Sequence, residues 1–97
     1  MMRHRFKRFL RRHHRSSIRL IEAPLSFLRA GEAGVIVRVS GGHGMSERMA
    51  SLGFIPGTEV VVLQNFGYGP IIVRVHEAHI ALGRGVAARI QIHRDKE

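Results

Sequence analysis

Apolar residues along this chain recur mainly at every second position, which is the spacing of β-strands with one buried face. The clearest alternation places Ile71, Val73 and Val75 on one side of a predicted strand. The same spacing, or a β-branched run, predicts further strands at residues 35–40, 58–64, 79–82 and 89–93. The chain is therefore expected to be mainly β.

Residues 45–58 break this pattern and predict one short helix. Met45, Met49 and Leu52 are spaced at i, i+4 and i+7, which places them on one helical face. Ser46 is a suitable N-cap, because its hydroxyl can accept a hydrogen bond from a free amide one turn later.

The end of this helix is marked more strongly than its beginning. Gly53 stands where a left-handed residue commonly ends a helix, and Phe54 can then fold back onto the last turn. Pro56 prevents the helix from continuing, and Gly57 releases the chain into the next strand.

The connections are short and contain no crossover helix. Leu25 and Leu28 are predicted to point inward from a short strand or single turn, and Gly31 is predicted to turn the chain. Residues 65–70 form the loop of a hairpin, and residues 83–88 are predicted to form a 3₁₀ turn. Five or six short antiparallel strands with one inserted helix suit a small SH3-like β-barrel, since closure removes exposed edges.

The length of 97 residues is typical of one domain, and the chain has no cysteine for a disulfide or a thiolate metal site. No apolar run reaches the roughly 18 residues that predict a membrane-spanning helix. We expect a basic N-terminal tail at residues 1–22, a folded domain at residues 23–94 and a frayed end at residues 95–97.

The net charge of +9 belongs to the tail. Residues 1–19 contain eight Lys or Arg and no acidic residue, whereas residues 20–97 contain eight against seven acidic residues. Three interpretations of the tail remain open: a solvated arm, an amphipathic segment on an anionic membrane or partner, and an arm that contacts nucleic acid. The residues that would contact a membrane or an anionic partner are Arg3, Arg5, Phe6, Lys7, Arg8, Phe9, Arg11 and Arg12.

With these elements placed, the sequence resembles the FeoA family, the small ferrous iron transport protein A. The most specific part is the run L-G-F-I-P-G-T-E-V at residues 52–60. The resemblance spans about residues 24–93, and its other matching positions are Pro24, Leu25, Ser26, Leu28, Gly31, Gly34, Val35, Ile36, Gly69, Pro70, Val73, Ile80, Ala81, Leu82, Gly83, Ala87 and Ile90.

This resemblance implies a cytoplasmic SH3-like barrel that assists the ferrous iron transporter, an inner-membrane protein with a GTP-binding domain. A location at the inner face of the membrane is a further expectation from the basic tail. Iron-dependent repressors also carry such domains, but this sequence leaves no room for their helix-turn-helix domain.

Metal binding is an alternative function. His76, Glu77 and His79 are close in sequence, and imidazole and carboxylate groups suit Fe²⁺ or Zn²⁺. These residues flank a tight turn, however, so their side chains are expected to diverge into solvent. We therefore predict no bound metal and keep a Fe²⁺ or Zn²⁺ carrier as an alternative.

Catalysis and nucleic-acid binding are less well supported. No two acidic residues are spaced as an acid–base pair, so no catalytic residue is predicted. Small barrels can stack bases on aromatic residues such as Phe66 and Tyr68. The nearly neutral charge of residues 20–97 argues against a strong phosphate-binding surface.

The sequence therefore favours a non-enzymatic interaction module. Its partner-binding surface is predicted to combine the exposed side of the helix with the hairpin tip. The predicted residues are Glu47, Arg48, Ser51, Phe66 and Tyr68.

Overall fold

Residues 20–95, which this computed structural model describes, form six strands, two short helices and one 3₁₀ turn. The strands are β1 (Leu20–Pro24), β2 (Ala33–Val39), β3 (Glu59–Gln64), β4 (Ile71–Val75), β5 (Ala78–Leu82) and β6 (Ile90–Asp95). The helices are α1 (His43–Ser51) and α2 (Arg84–Ala87), and the 3₁₀ turn is Leu25–Phe27. The mainly β fold predicted from the alternation is confirmed.

All six strands belong to one antiparallel sheet in the order β1-β6-β2-β3-β4-β5. The last strand therefore lies between the first two, with Leu20 opposite Asp95. Register shifts interrupt the β2–β6 pairing and the β3–β4 pairing. Such bulges increase the local twist, which helps a sheet of short strands curl around its own core.

Alternating residues of β4 and consecutive residues of β3 supply part of the core. Ile71, Val73 and Val75 in β4 are fully buried, and α1 contributes Met49. Leu25 and Leu28, predicted to point inward, are also fully buried. The remaining members of the main cluster are Ile36, Phe54, Val60, Val62, Leu82, Ala87, Ile90 and Ile92.

The predicted end of α1 is confirmed. Gly53 has φ +105°, a backbone conformation that a side chain disfavours, and it follows the last turn directly. The Phe54 amide then donates to the Met49 carbonyl oxygen at 3.0 Å. This turn inserts the Phe54 ring into the core, where 1% of the residue is exposed.

The predicted start of α1 is wrong. The helix begins at His43, and its N-cap is Gly42, with φ +95° and no capping side chain. Ser46 lies inside the helix, where its amide donates to the Gly42 carbonyl oxygen at 3.1 Å. The glycine-rich connection can adopt the backbone angles needed to begin the helix three residues before Ser46, so no serine cap is required. The prediction for Leu52 is also wrong, because this residue is 47% exposed instead of facing the core.

The buried face of β2 is carried by Gly34 and Ile36, while the three valines are half-buried. A register shift against β6 follows between Ile36 and Arg38, and an alternation pattern cannot reveal it. At Gly34, an added Cβ atom would lie 2.9 Å from Ile92 Cδ1, so this glycine allows β2 and β6 to approach closely.

The sheet extends into the predicted basic tail. β1 begins at Leu20, so three residues of the predicted tail belong to the sheet. Residues 1–19, which carry the predicted basic contact residues, lie outside the described part of the chain, as do residues 96–97.

Residues 84–87 form one α-helical turn instead of the predicted 3₁₀ turn.

Candidate partner-binding site

Three aromatic side chains are strongly exposed in the described part of the chain. Phe27 is 70% exposed, Phe66 65% and Tyr68 74%. Phe27 ends the 3₁₀ turn, and the other two lie on the loop between β3 and β4. The Phe66 and Tyr68 rings have centroids 6.3 Å apart and are tilted by 38°. We call these three residues the aromatic patch.

Asn65 joins the two segments that carry the patch. Its Nδ2 atom donates to the Leu28 carbonyl oxygen at 2.7 Å and to the Ser26 carbonyl oxygen at 3.2 Å. These two carbonyls belong to the residues on either side of Phe27. A single amide side chain therefore keeps Phe27 next to the loop of Phe66 and Tyr68.

The same side chain orders the hairpin loop. Asn65 Oδ1 accepts from the Gly67 amide at 3.0 Å and from Arg84 Nη2 at 2.5 Å. Arg84 Nη1 donates to the Gly69 carbonyl oxygen at 3.1 Å. These hydrogen bonds already order the loop that carries Phe66 and Tyr68. The loop therefore loses less conformational entropy when it binds a partner.

Phe66 and Tyr68 were predicted from the sequence as contact residues, whereas Phe27, Asn65 and Arg84 were not. An asparagine before a glycine-containing loop indicates a local turn, and the bond to Gly67 is of this kind. The partners of Asn65 in and directly after the 3₁₀ turn are 37 and 39 residues away. No local pattern predicts contacts at that separation.

The structure does not bring the predicted helix residues together with the hairpin tip. Gly53, after α1, lies beside Val75 and His76 at the end of β4, because an added Cβ atom would be 3.0 Å from Val75 Cγ1. The hairpin tip precedes Ile71 at the start of β4. The full length of β4 therefore separates the two halves of the predicted surface.

The exposed side of α1 is polar and internally bonded. Glu47 Oε2 lies 3.0 Å from His43 Nε2. The Ser51 hydroxyl donates to the Arg48 carbonyl oxygen at 2.7 Å. Exposed pairs of this kind contribute little to stability or affinity, so the helix surface is a weaker candidate than the aromatic patch.

Of the metal candidates, His76 and Glu77 form the turn between β4 and β5, and His79 lies in β5. His76, Glu77 and His79 are all exposed, and His76 has φ +56°. Within residues 20–95, no group of three or more His, Asp or Glu side chains is arranged to hold a metal ion. A different histidine, His93, has its Nε2 atom 3.9 Å from Glu22 Oε1.

Comparison with known proteins identifies the family. The sequence model of the FeoA domain matches residues 23–94. A relative from Methanocaldococcus jannaschii, whose name assigns it provisionally to Fe(2+) transport as protein A, is 33% identical over 69 residues. That alignment covers 71% of this chain and 83% of the relative.

Solved structures agree in sequence and in fold. An iron uptake regulatory protein (FeoA) is 35% identical, with a TM-score of 0.70, and the match covers 74% of this chain and 96% of that one. FeoA from Stenotrophomonas maltophilia in complex with zinc is 29% identical, with a TM-score of 0.63 and coverage of 70% and 86%. It is described as an SH3 domain protein and a candidate activating factor for ferrous iron transport.

The same fold occurs inside a longer protein. A manganese-dependent transcriptional repressor is 28% identical, with a TM-score of 0.66. The match covers 75% of this chain but 41% of the repressor. The arrangement of strands and the sequence matches agree, and this chain belongs to the FeoA domain family.

Proposed function

We propose that this protein is a non-enzymatic accessory factor of ferrous iron transport that binds the cytoplasmic part of a ferrous iron transporter. Membership of the FeoA family associates the chain with ferrous iron transport. The specific partner, a transporter with a GTP-binding domain, is the one that the family resemblance implies.

The aromatic patch is the observation that carries this proposal. Protein interfaces are enriched in Tyr, Phe and Arg, and a few buried aromatic anchors usually supply most of the binding free energy. Phe27, Phe66 and Tyr68 are exposed by about two thirds or more, although the domain has a well-filled core elsewhere. Arg84 places a positive charge on the loop that carries Phe66 and Tyr68.

The location of the protein is part of the same proposal. We place it in the cytoplasm, where the basic tail can rest on anionic lipid near the transporter. In the described part of the chain, no helix is long and apolar enough to cross a membrane.

The test measures binding of the full-length protein to the isolated cytoplasmic part of the transporter from the same organism. Tyr68→Ala and Phe27→Ala are each expected to weaken binding by about 10-fold or more, as loss of an aromatic anchor does. Both side chains are exposed, so the far-ultraviolet circular dichroism spectrum should not change.

Leu52→Ala and Ile55→Ala are the matched controls. Both residues are 47% exposed and apolar, and they flank Gly53 at the other end of β4. They should leave binding within about twofold of the unmodified protein. If they weaken binding and the aromatic variants do not, the interface lies at the end of α1, and the aromatic patch has another role.

A further inference from the structure

The open edge of β5 takes no part in the proposed function. β5 lies at one end of the sheet order and pairs with β4 over all five of its residues, without a register shift. Among residues 20–95, no backbone hydrogen bond joins β5 to any strand other than β4. One side of the strand therefore presents backbone donors and acceptors that β4 does not use.

The register identifies these groups. Val75 and Ala78 flank the two-residue turn between β4 and β5, and residues that flank such a turn bond to each other. Because bonding alternates along an antiparallel ladder, Ile80 and Leu82 also bond toward β4. The N–H and C=O groups of His79 and Ala81 consequently point away from the sheet.

β5 lacks the features that usually protect an edge strand. Proteins block edges with charged residues, proline or bulges. Residues 78–82 contain no Asp, Glu, Lys, Arg or Pro, and Ala78, His79 and Ala81 are exposed. The opposite edge, β1, carries both Glu22 and Pro24.

We propose that two copies of this protein associate by antiparallel pairing of their β5 strands. The pairing is two-fold symmetric about Ile80, so that His79 lies opposite Ala81 of the second copy. In this register each His79–Ala81 pair exchanges two backbone hydrogen bonds, which gives four across the interface. A register centred on His79 or Ala81 itself would give fewer.

A second copy fits this edge because the strand is its own complement. About the Ile80 axis, small residues face larger ones: Ala78 lies opposite Leu82, and Ala81 lies opposite His79. No like charges meet, because residues 78–82 contain no Lys, Arg, Asp or Glu. Pairing of two β1 edges would instead bring the Glu22 carboxylates together when centred on that residue, which is unfavourable.

The test uses the full-length protein and the variant Ala81→Pro. Proline removes the outward N–H of Ala81, and edge strands tolerate proline at such a position, so the pairing of β5 with β4 is expected to be retained. Analytical ultracentrifugation over a concentration series should show a reversible dimer for the unmodified protein. The dimer of the proline variant should have a dissociation constant at least about tenfold higher than that of the unmodified protein. Ala81→Ser, which keeps the N–H group, is the matched control and should remain dimeric.

Hydrogen exchange provides the second measurement. The amides of His79 and Ala81 should exchange more slowly as the concentration of the unmodified protein rises. A protein that stays monomeric at all concentrations overturns the proposal, as does an Ala81→Pro variant that dimerises unchanged. Slow exchange of both amides in a monomer also overturns it, because a segment of the same chain would then cover the edge.

Discussion

Asn65 Oδ1 accepts a hydrogen bond from Arg84 Nη2 at 2.5 Å, while the Nδ2 atom of the same side chain donates to the Leu28 carbonyl oxygen at 2.7 Å. These bonds connect three segments that are distant in sequence. Asn65 takes part in both bonds, whereas Arg84 takes part in only the first. The two side chains are therefore expected to contribute unequally to stability.

Replacing Asn65 with Ala is expected to lower the free energy of unfolding by about 1–3 kcal/mol, because it leaves partly buried carbonyl groups without their donor. Arg84→Ala should cost less, about 1 kcal/mol or below, because Asn65 keeps its bonds to the 3₁₀ turn. Urea unfolding monitored by circular dichroism measures both. Equal losses of unfolding free energy in the two variants would contradict this prediction.

Gly53→Ala is expected to destabilise the protein more than Gly57→Ala. Both glycines have positive φ, +105° and +93°, so both substitutions introduce backbone strain of about 1–2 kcal/mol. Only at Gly53 would the new Cβ atom also meet a neighbour, Val75 Cγ1 at 3.0 Å, whereas Gly57 has no atom within 4 Å. The difference in unfolding free energy should be about 1 kcal/mol or more, and indistinguishable values would show that Val75 moves aside freely.

Phe54→Ala is expected to cost about 3–5 kcal/mol, because it removes an aromatic ring that is 1% exposed in the core. Leu52→Ala should cost less than about 1 kcal/mol, since Leu52 is 47% exposed. Thermal unfolding of the two variants compares these neighbouring positions directly. A large loss for Leu52→Ala would support the inward orientation that the helical spacing predicted.

The proposed location near the membrane predicts that the eight Lys and Arg residues of residues 1–19 bind anionic lipid. Each basic residue near such a surface contributes about 1 kcal/mol at moderate ionic strength. The full-length protein should sediment with vesicles that contain phosphatidylglycerol, and salt should release it. A variant with all eight residues changed to Gln should remain in the supernatant. Unchanged sedimentation of that variant would exclude the tail as the membrane contact.

The sequence predicted the buried face of β4 because burial alternation is a local property. Ile71, Val73 and Val75 lie on one buried face as expected, and the left-handed Gly53 ends α1 as expected. In both cases the residues that carry the signal are also the residues that adopt the structure.

Features that depend on distant segments could not be predicted in this way. The buried positions of β2 include Gly34, which packs closely against Ile92 of β6. The start of α1, which is set by the adjacent Gly42, was also missed although it is a local feature. The site shows the same limit. Phe66 and Tyr68 could be chosen from their loop, but the nearness of Phe27 and the separation from Glu47 follow only from the topology.

The central position of β6 has a consequence for how the protein is made. Without β6, the strands β2 to β5 can pair with one another, but β1 has no neighbour in the sheet. β6 is the last element of the described chain, and it pairs with both β1 and β2. During synthesis the sheet therefore stays incomplete until residue 95 has left the ribosome, and folding is expected to finish only after translation of the whole domain.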